Sequence, residues 1–269
     1  MEYYNVSIMA SSIKSVMDYF SNFANYCMDN KRKVFIFILL FHALTSVLLN
    51  YIVNTDYLLS LHDDKIGFWD FSSDSYLYHT EAIILAEGLD NSLWWNWFAS
   101  YPDHLHVKII SLLYWITGYY SPLLYEVLIN PFVWASSVFL MYKSSQTLFP
   151  GSNKIPLITS LFFFQPSVFM HSTQLLRDPI FTLGFCLMTY GLITVFKHKL
   201  KWKSVLIINA GIFMMLAMRE YLTPIVLSFI IIYCFTIYVK KPSSYLPILF
   251  ILFPLILSLI HISEPTRPY

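Results

Sequence analysis

Residues 34–53 read VFIFILLFHALTSVLLNYIV and directly follow the basic triplet 31–33 (KRK). The run contains no Asp, Glu, Lys or Arg. A helix rises 1.5 Å per residue, so about 20 apolar residues cross a hydrocarbon core of about 30 Å. The stretch therefore predicts a membrane-spanning helix. It starts too late and is too long for a secretory signal, and no small-residue cleavage site follows it.

Further apolar runs repeat this pattern, and they give the predicted fold. Hydrophobic residues make up 57% of the chain and charged residues 12%, against roughly 25% charged in soluble domains. The sequence therefore predicts an all-α, polytopic transmembrane helical bundle of about seven spans. A shorter apolar run, 107–119, predicts an interfacial or partly inserted helix. The other six predicted spans are 121–141, 155–171, 179–196, 204–218, 222–239 and 245–260.

The distribution of Lys and Arg predicts the orientation, because cytoplasmic loops are enriched in these residues. A cytoplasmic N-terminus puts most of the basic residues inside and makes 54–120 a long first outer loop with short juxtamembrane helices. An added crossing at 107–119 would move the cluster 197–203 outside. The predicted inner residues are Lys14, Lys31, Arg32, Lys33, Lys143, Lys154, Lys197, Lys199, Lys201, Lys203, Lys240 and Lys241; the outer ones are Lys65, Lys108, Arg177 and Arg219.

Three stretches define the expected domain organisation. Residues 1–30 are expected to be a cytoplasmic segment, either amphipathic or disordered, and 31–256 the transmembrane domain. Residues 257–267 read LSLIHISEPTR, which resembles the translation of a transposase adapter used in sequencing-library preparation. We therefore expect 257–269 to be a non-native tail and the transmembrane domain to be incomplete.

The outer loop holds the first candidate for chemistry. Asp74, Tyr78 and Glu81 lie at i, i+4 and i+7, on one face of a predicted helix. A carboxylate just outside the membrane can act as a general base or hold a metal. The same spacing also fits a solvated helix whose acids face water.

Two Arg–acid pairs form the second candidate. Arg177-Asp178 and Arg219-Glu220 fall at predicted outer ends of spans. A guanidinium group matches phosphate oxygens bidentately, so two outer arginines can hold a lipid-linked phosphate. The alternative is that both pairs only anchor the helices at the interface.

Other kinds of site are weakly indicated or missing from the sequence. The segments 62–64 (HDD) and 103–106 (DHLH) contain metal-ligand residue types, but their spacing matches no strong signature. No residue is therefore assigned as a metal ligand, and the need for a divalent metal is left open. The net charge of +1 and the absence of a basic patch outside the loops indicate no nucleic-acid partner.

Several short motifs together resemble the GT-C class of polytopic membrane glycosyltransferases, of the mannosyltransferase and aminoarabinose-transferase kind. The pattern D-x3-Y-x3-A-x5-G is met by Asp74, Tyr78, Ala82 and Gly88. Pro102 and Gly118 bracket the short apolar helix, 149–151 (FPG) forms a turn, and P-S…R-D follows over 166–178.

The resemblance implies an outer-face enzyme of the bacterial inner (plasma) membrane. It would transfer a sugar from a polyprenyl-phosphate donor to a glycan or lipid acceptor, with Asp74 as general base and sometimes with a metal. Tyr78, Glu81, Arg177, Asp178, Arg219 and Glu220 are the predicted substrate-binding residues.

Two rival functions remain open. An O-antigen or capsule repeat-unit polymerase would also use outer arginines. A transporter or flippase belongs to another class. We find no internal repeat and no charge deep in a predicted span, and these absences count against transport.

Overall fold

The computed structural model describes residues 15, 18–19, 21–27, 29–55, 62–63, 68–69, 72, 74–91, 94–100, 105–152, 154–198, 201–219, 224, 228 and 231. Within them the chain is mainly helical. Two short strands, β1 (His62–Asp63) and β2 (Phe68–Trp69), pair antiparallel. The helices are α1 (Lys31–Val53), α2 (Asp74–Asp90), α3 (Trp94–Ala99), α4 (Leu105–Thr117), α5 (Pro122–Leu148), α6 (Lys154–Leu161), α7 (Pro166–Ser172), α8 (Asp178–Lys197) and α9 (Trp202–Met218).

Three of these helices, α1, α5 and α8, are long and apolar enough to cross a membrane. They coincide with the first, second and fourth predicted spans, so the helical fold and three of its candidate membrane spans are confirmed. Helix α9 matches the fifth predicted span but has 17 residues, about 25 Å of helix. The sixth and seventh predicted spans and the tail 257–269 lie outside the described residues. Seven spans and a cytoplasmic N-terminus stay predictions.

The third predicted span, 155–171, is not one straight helix. Helix α6 ends at Leu161, a 3-10 turn covers Phe162–Phe164, and α7 starts at Pro166. Proline lacks a backbone N–H and disfavours helical geometry in the residue before it. Gln165 accordingly has φ −58° and ψ 129°, and the helix breaks there.

The long helices pack side by side. Helix α5 contacts α1 on one side and α8 on another, and α8 packs along α9. The α8–α9 contact is close because glycines face each other: a Cβ added at Gly211 would lie 2.5 Å from the carbonyl oxygen of Gly184. Small residues allow such backbone approach between helices in a membrane.

Helices α2 and α4 pack against each other and against the first turns of α5. Their shared core includes Tyr78, Ala82, Ile110, Tyr114 and Tyr125. The predicted interfacial helix 107–119 therefore exists as α4, although its depth relative to a membrane stays a prediction. Helix α2 buries six residues, so it is not a helix solvated on all sides.

The segment before α1 packs on the opposite end of the bundle. Residues 21–27 are helical, and Ala24 and Cys27 bury against Leu157 of α6. Cys27 and Cys186 are buried free thiols, and Cys234 lies outside the described residues.

Candidate functional site

The start of α8 and the end of α9 bring the predicted arginines together. Arg219 forms an ion pair with Asp178, and its guanidinium carbon lies 5.8 Å from the Phe181 ring centroid. Arg177 donates a hydrogen bond of 3.3 Å to the carbonyl oxygen of Met218. The end carbonyls of a helix lack partners within the helix, so Arg177 caps α9. Both guanidinium groups thus lie at one end of the α8–α9 pair.

Asp178 has favourable surroundings at the beginning of α8. It is the acidic residue in the first turn of that helix, where the positive end of the helix dipole favours a negative charge. Its side chain is 39% exposed and that of Arg219 is 28% exposed. Both side chains are therefore partly open to solvent, and solvent screening keeps such ion pairs weak.

On α2, Tyr78 interacts electrostatically with these charges and with Asp74. Tyr78 is buried, at 4% exposure, and burial raises the pKa of its hydroxyl. The charge of Arg177 opposes that rise in pKa, the charges of Asp74 and Asp178 add to it, and Arg219 opposes it more weakly. All four charged residues therefore act on one buried hydroxyl. Asp74 itself is exposed at the first residue of α2.

A cavity of about 260 Å³ lies beside Asp178. Ser167, Thr182 and Trp134 are among its lining residues. Trp134 is 1% exposed, and its indole N–H has no hydrogen-bond partner among the described residues. Buried polar groups are normally paired, so this N–H is an exception in the core beside the cavity. The other lining residues are Val168, His171, Ser172, Asp178 and Pro179.

The turn between α7 and α8 carries Arg177, and α5 holds it from behind. Asn130 donates a hydrogen bond of 2.6 Å to the carbonyl oxygen of Gln174. The backbone N–H of Leu175 donates to the carboxylate of Glu126. On the α1 side, Nε2 of His42 lies 2.9 Å from Oγ of Ser172. Polar side chains from two long helices thus contact the end of α7 and the short non-helical stretch after it.

Sequence reasoning missed Glu126 and Asn130. Both are buried in α5, at 3% and 0% exposure. Glu126 lies about one turn inside the second predicted span. The expectation that no charge lies deep in a span is therefore wrong at this position. The i, i+4 spacing of two polar residues in the apolar run LLYEVLINPF was the available signal, since polar groups in spans face the protein interior.

The remaining predicted residues are less informative. Glu81 is partly buried on α2, and Glu220 lies outside the described residues, as do Asp103 and His104. His106 is buried among aromatic rings, with its Nδ1 3.3 Å from the Tyr125 hydroxyl, so it has a structural role in the core. Within the described part of the chain, no three His, Cys, Asp or Glu side chains form a metal-binding group.

Comparisons with known proteins give no further assignment: no protein-family model, curated protein or solved structure matches the chain.

Proposed function

We propose that the chain transfers a sugar from a polyprenyl-phosphate-linked donor to a glycan or lipid acceptor at the outer face of the membrane. One observation carries this proposal. Two guanidinium groups meet at one end of the α8–α9 pair, and their charges and that of the exposed Asp74 carboxylate act on the buried Tyr78 hydroxyl. The donor is amphiphilic, and this end of the bundle combines a polar site with long apolar helices.

The arginines would bind the donor phosphate. A guanidinium group carries five N–H donors, so Arg219 can keep its contact with Asp178 while other N–H groups bind phosphate oxygens. Arg177 would do the same from its position over the end of α9. Two cations would then stabilise the negative charge that develops on the leaving polyprenyl phosphate.

Asp74 would act as the base. It accepts the proton of the acceptor hydroxyl while that oxygen attacks the anomeric carbon of the sugar, and the bond from this carbon to the phosphate oxygen breaks. The cavity beside Asp178 is the proposed location of the sugar, because its lining includes Ser, Thr and Asp residues, whose side chains can form hydrogen bonds with sugar hydroxyls.

Transfer of sugar from a polyprenyl-phosphate donor by the full-length protein tests this proposal. Asp74→Asn keeps the shape and removes the proton acceptor, so we expect the rate to fall by about 10²–10⁴. Asp90→Asn is the matched control. Asp90 is also exposed on α2, where it accepts a hydrogen bond from the Tyr120 hydroxyl. Equal rates for Asp74→Asn and wild type, at equal abundance in the membrane, would exclude Asp74 as the base.

The orientation of the chain is a separate requirement of the proposal. Single cysteines at Trp95, which is 81% exposed, and at Lys201, which is also exposed, can be probed in a variant without native cysteines. A membrane-impermeant thiol reagent should label position 95 in intact cells and position 201 only after lysis. The reverse result would place the candidate site on the cytoplasmic side.

Transport or lipid flipping is a second candidate, favoured by two observations. The third predicted span is broken at Gln165, and the acidic Glu126 is buried inside α5. Transporters use discontinuous helices and buried charges around a substrate site. A flippase would move a fluorescent polyprenyl phosphate across vesicle membranes without forming a glycosidic bond. A repeat-unit polymerase would instead give products longer by whole repeat units.

A further inference from the structure

An apolar groove lies at the opposite end of the bundle, away from the candidate site. Helices α1, α5 and α6 and the segment before α1 enclose a volume of about 310 Å³. Its walls are almost entirely aromatic and aliphatic, and include Phe35, Phe41, Val138, Leu157 and Phe164. In a protein that spans a membrane, a groove between helices with such walls is open to acyl chains.

The length of the groove matches one leaflet of a bilayer. Its lining extends along α1 from Lys31 to Phe41, which is about 15 Å of helix. Half of a hydrocarbon core of about 30 Å has the same depth. A lipid chain that begins at the Lys31 end would therefore reach the middle of the bilayer within the groove.

The Lys31 end of the groove carries polar groups suited to a phosphate. Lys31 and Tyr142 both line it. Tyr142 is only 8% exposed, and its hydroxyl has no hydrogen-bond partner in the described part of the chain. Nζ of Lys143 lies 4.7 Å from the centroid of the Phe139 ring, which is also in the lining.

The charge balance at this end is positive. Lys31, Lys143 and the exposed pair Arg32-Lys33 supply four cations, whereas Asp29 supplies a carboxylate close to Tyr142. Basic pockets between transmembrane helices bind anionic lipid head groups. The cations thus indicate the charge of the occupant, and the apolar walls indicate its chain.

We propose that this groove binds one anionic phospholipid of the leaflet at the Lys31 end. One acyl chain lies along α1 as far as Phe41, and the phosphate contacts the Lys31 ammonium and the Tyr142 hydroxyl. This site is independent of the proposed sugar transfer, because none of its residues belongs to the candidate functional site.

Native mass spectrometry of the full chain in detergent tests the proposal. The probes are phosphatidylglycerol and phosphatidylcholine with identical acyl chains. We expect one phosphatidylglycerol to bind in preference to phosphatidylcholine, and Lys31→Ala to weaken that binding about fivefold. Lys33→Ala removes the same charge outside the groove and should leave binding within about twofold. Tyr142→Phe keeps the ring and should weaken binding by about two- to fivefold.

Two results would overturn the proposal. Equal binding of phosphatidylglycerol and phosphatidylcholine would show that the groove does not select an anionic head group. Equal loss of binding in Lys31→Ala and Lys33→Ala would show a general attraction to a basic surface instead of a site at Lys31 and Tyr142.

Discussion

The α8–α9 pair and the α2–α4 pair each carry one half of the candidate site, but they are packed by different means. Helices α8 and α9 meet backbone to backbone at Gly184 and Gly211. Helices α2 and α4 meet through rings and polar atoms: Tyr78 packs edge-on against His106, and Nδ1 of His79 lies 2.8 Å from the hydroxyl of Tyr114.

The difference fits the surroundings that each pair is expected to have in a membrane. Between helices in lipid there is no hydrophobic driving force, so association depends on close van der Waals packing of small residues. Helices α2 and α4 lie at the end of the bundle, where burial of aromatic surface contributes to packing. Arg177, Asp178 and Arg219 therefore lie on a helix pair whose backbone contact leaves no space for larger side chains. Asp74 and Tyr78 lie on a pair whose packing depends on polar contacts.

The largest expected effect comes from filling the α8–α9 contact. In Gly211→Val, a Cβ would lie 2.5 Å from the carbonyl oxygen of Gly184 and from the amide nitrogen of Met188. These are backbone atoms, so the helices must separate, and we expect a loss of about 3 kcal/mol in the free energy of unfolding. Thermal unfolding in detergent measures it.

Gly88→Ala in α2 is the matched control for Gly211→Val. No atom of the described residues lies within 4 Å of a Cβ at this position, so alanine should stabilise the helix by about 0.5–1 kcal/mol. Similar unfolding temperatures for the two variants would contradict the contrast between the two helix pairs.

The next effect concerns Asn130, which ties α5 to the turn that carries Arg177. Asn130→Leu leaves the Gln174 carbonyl oxygen without its 2.6 Å hydrogen bond, at a cost of about 1–3 kcal/mol for a buried group. Unfolding measurements should compare it with Leu128→Ala, a change at a residue of the same helix that is 53% exposed. An equally stable Asn130→Leu protein would mean that the turn holds its shape without α5.

The third expected effect is on ligand affinity and not on helix packing. Arg219→Lys keeps the positive charge but loses the planar fork, so we expect polyprenyl phosphate to bind about tenfold more weakly, which corresponds to about 1.4 kcal/mol. Titration of the purified protein with polyprenyl phosphate measures the change. Arg32→Lys, at the other end of the bundle, is the control, and unchanged affinity in Arg219→Lys would remove Arg219 from the phosphate site.

The smallest effect is a pH dependence of the α2–α4 pair. Burial lowers the pKa of His79 from its ordinary value of 6.5, so the folded protein resists protonation there. In the unfolded chain His79 gains a proton as the pH falls through about 6.5, and stability is therefore lost toward acid. His79→Gln removes this titration. The difference in unfolding temperature between pH 8 and pH 5 should be smaller in the variant; an identical difference would assign the acid sensitivity to other groups.

The long helices could be predicted because each needs an unbroken apolar run, and such runs are visible without any contact between helices. Helices α1, α5 and α8 start and end within a few residues, or at most seven, of the predicted spans. The positions of Arg177 and Arg219 at helix ends could be predicted for the same reason, because a charged residue interrupts an apolar run.

The partners of those charges could not be predicted. The sequence suggested neighbouring pairs, Arg177 with Asp178 and Arg219 with Glu220, but adjacent residues on a helix do not face each other. In the structure Arg219 pairs with Asp178, 41 positions away.

The sequence by itself therefore determined which segments are long apolar helices and at which helix ends the charges lie, because hydropathy is a local property. Only the tertiary structure decided that Arg219 meets Asp178 and that Glu126 and Asn130 hold the turn after α7. Those contacts depend on which helices pack together and how closely they approach. At Gly184 and Gly211 the approach is set by the absence of two side chains.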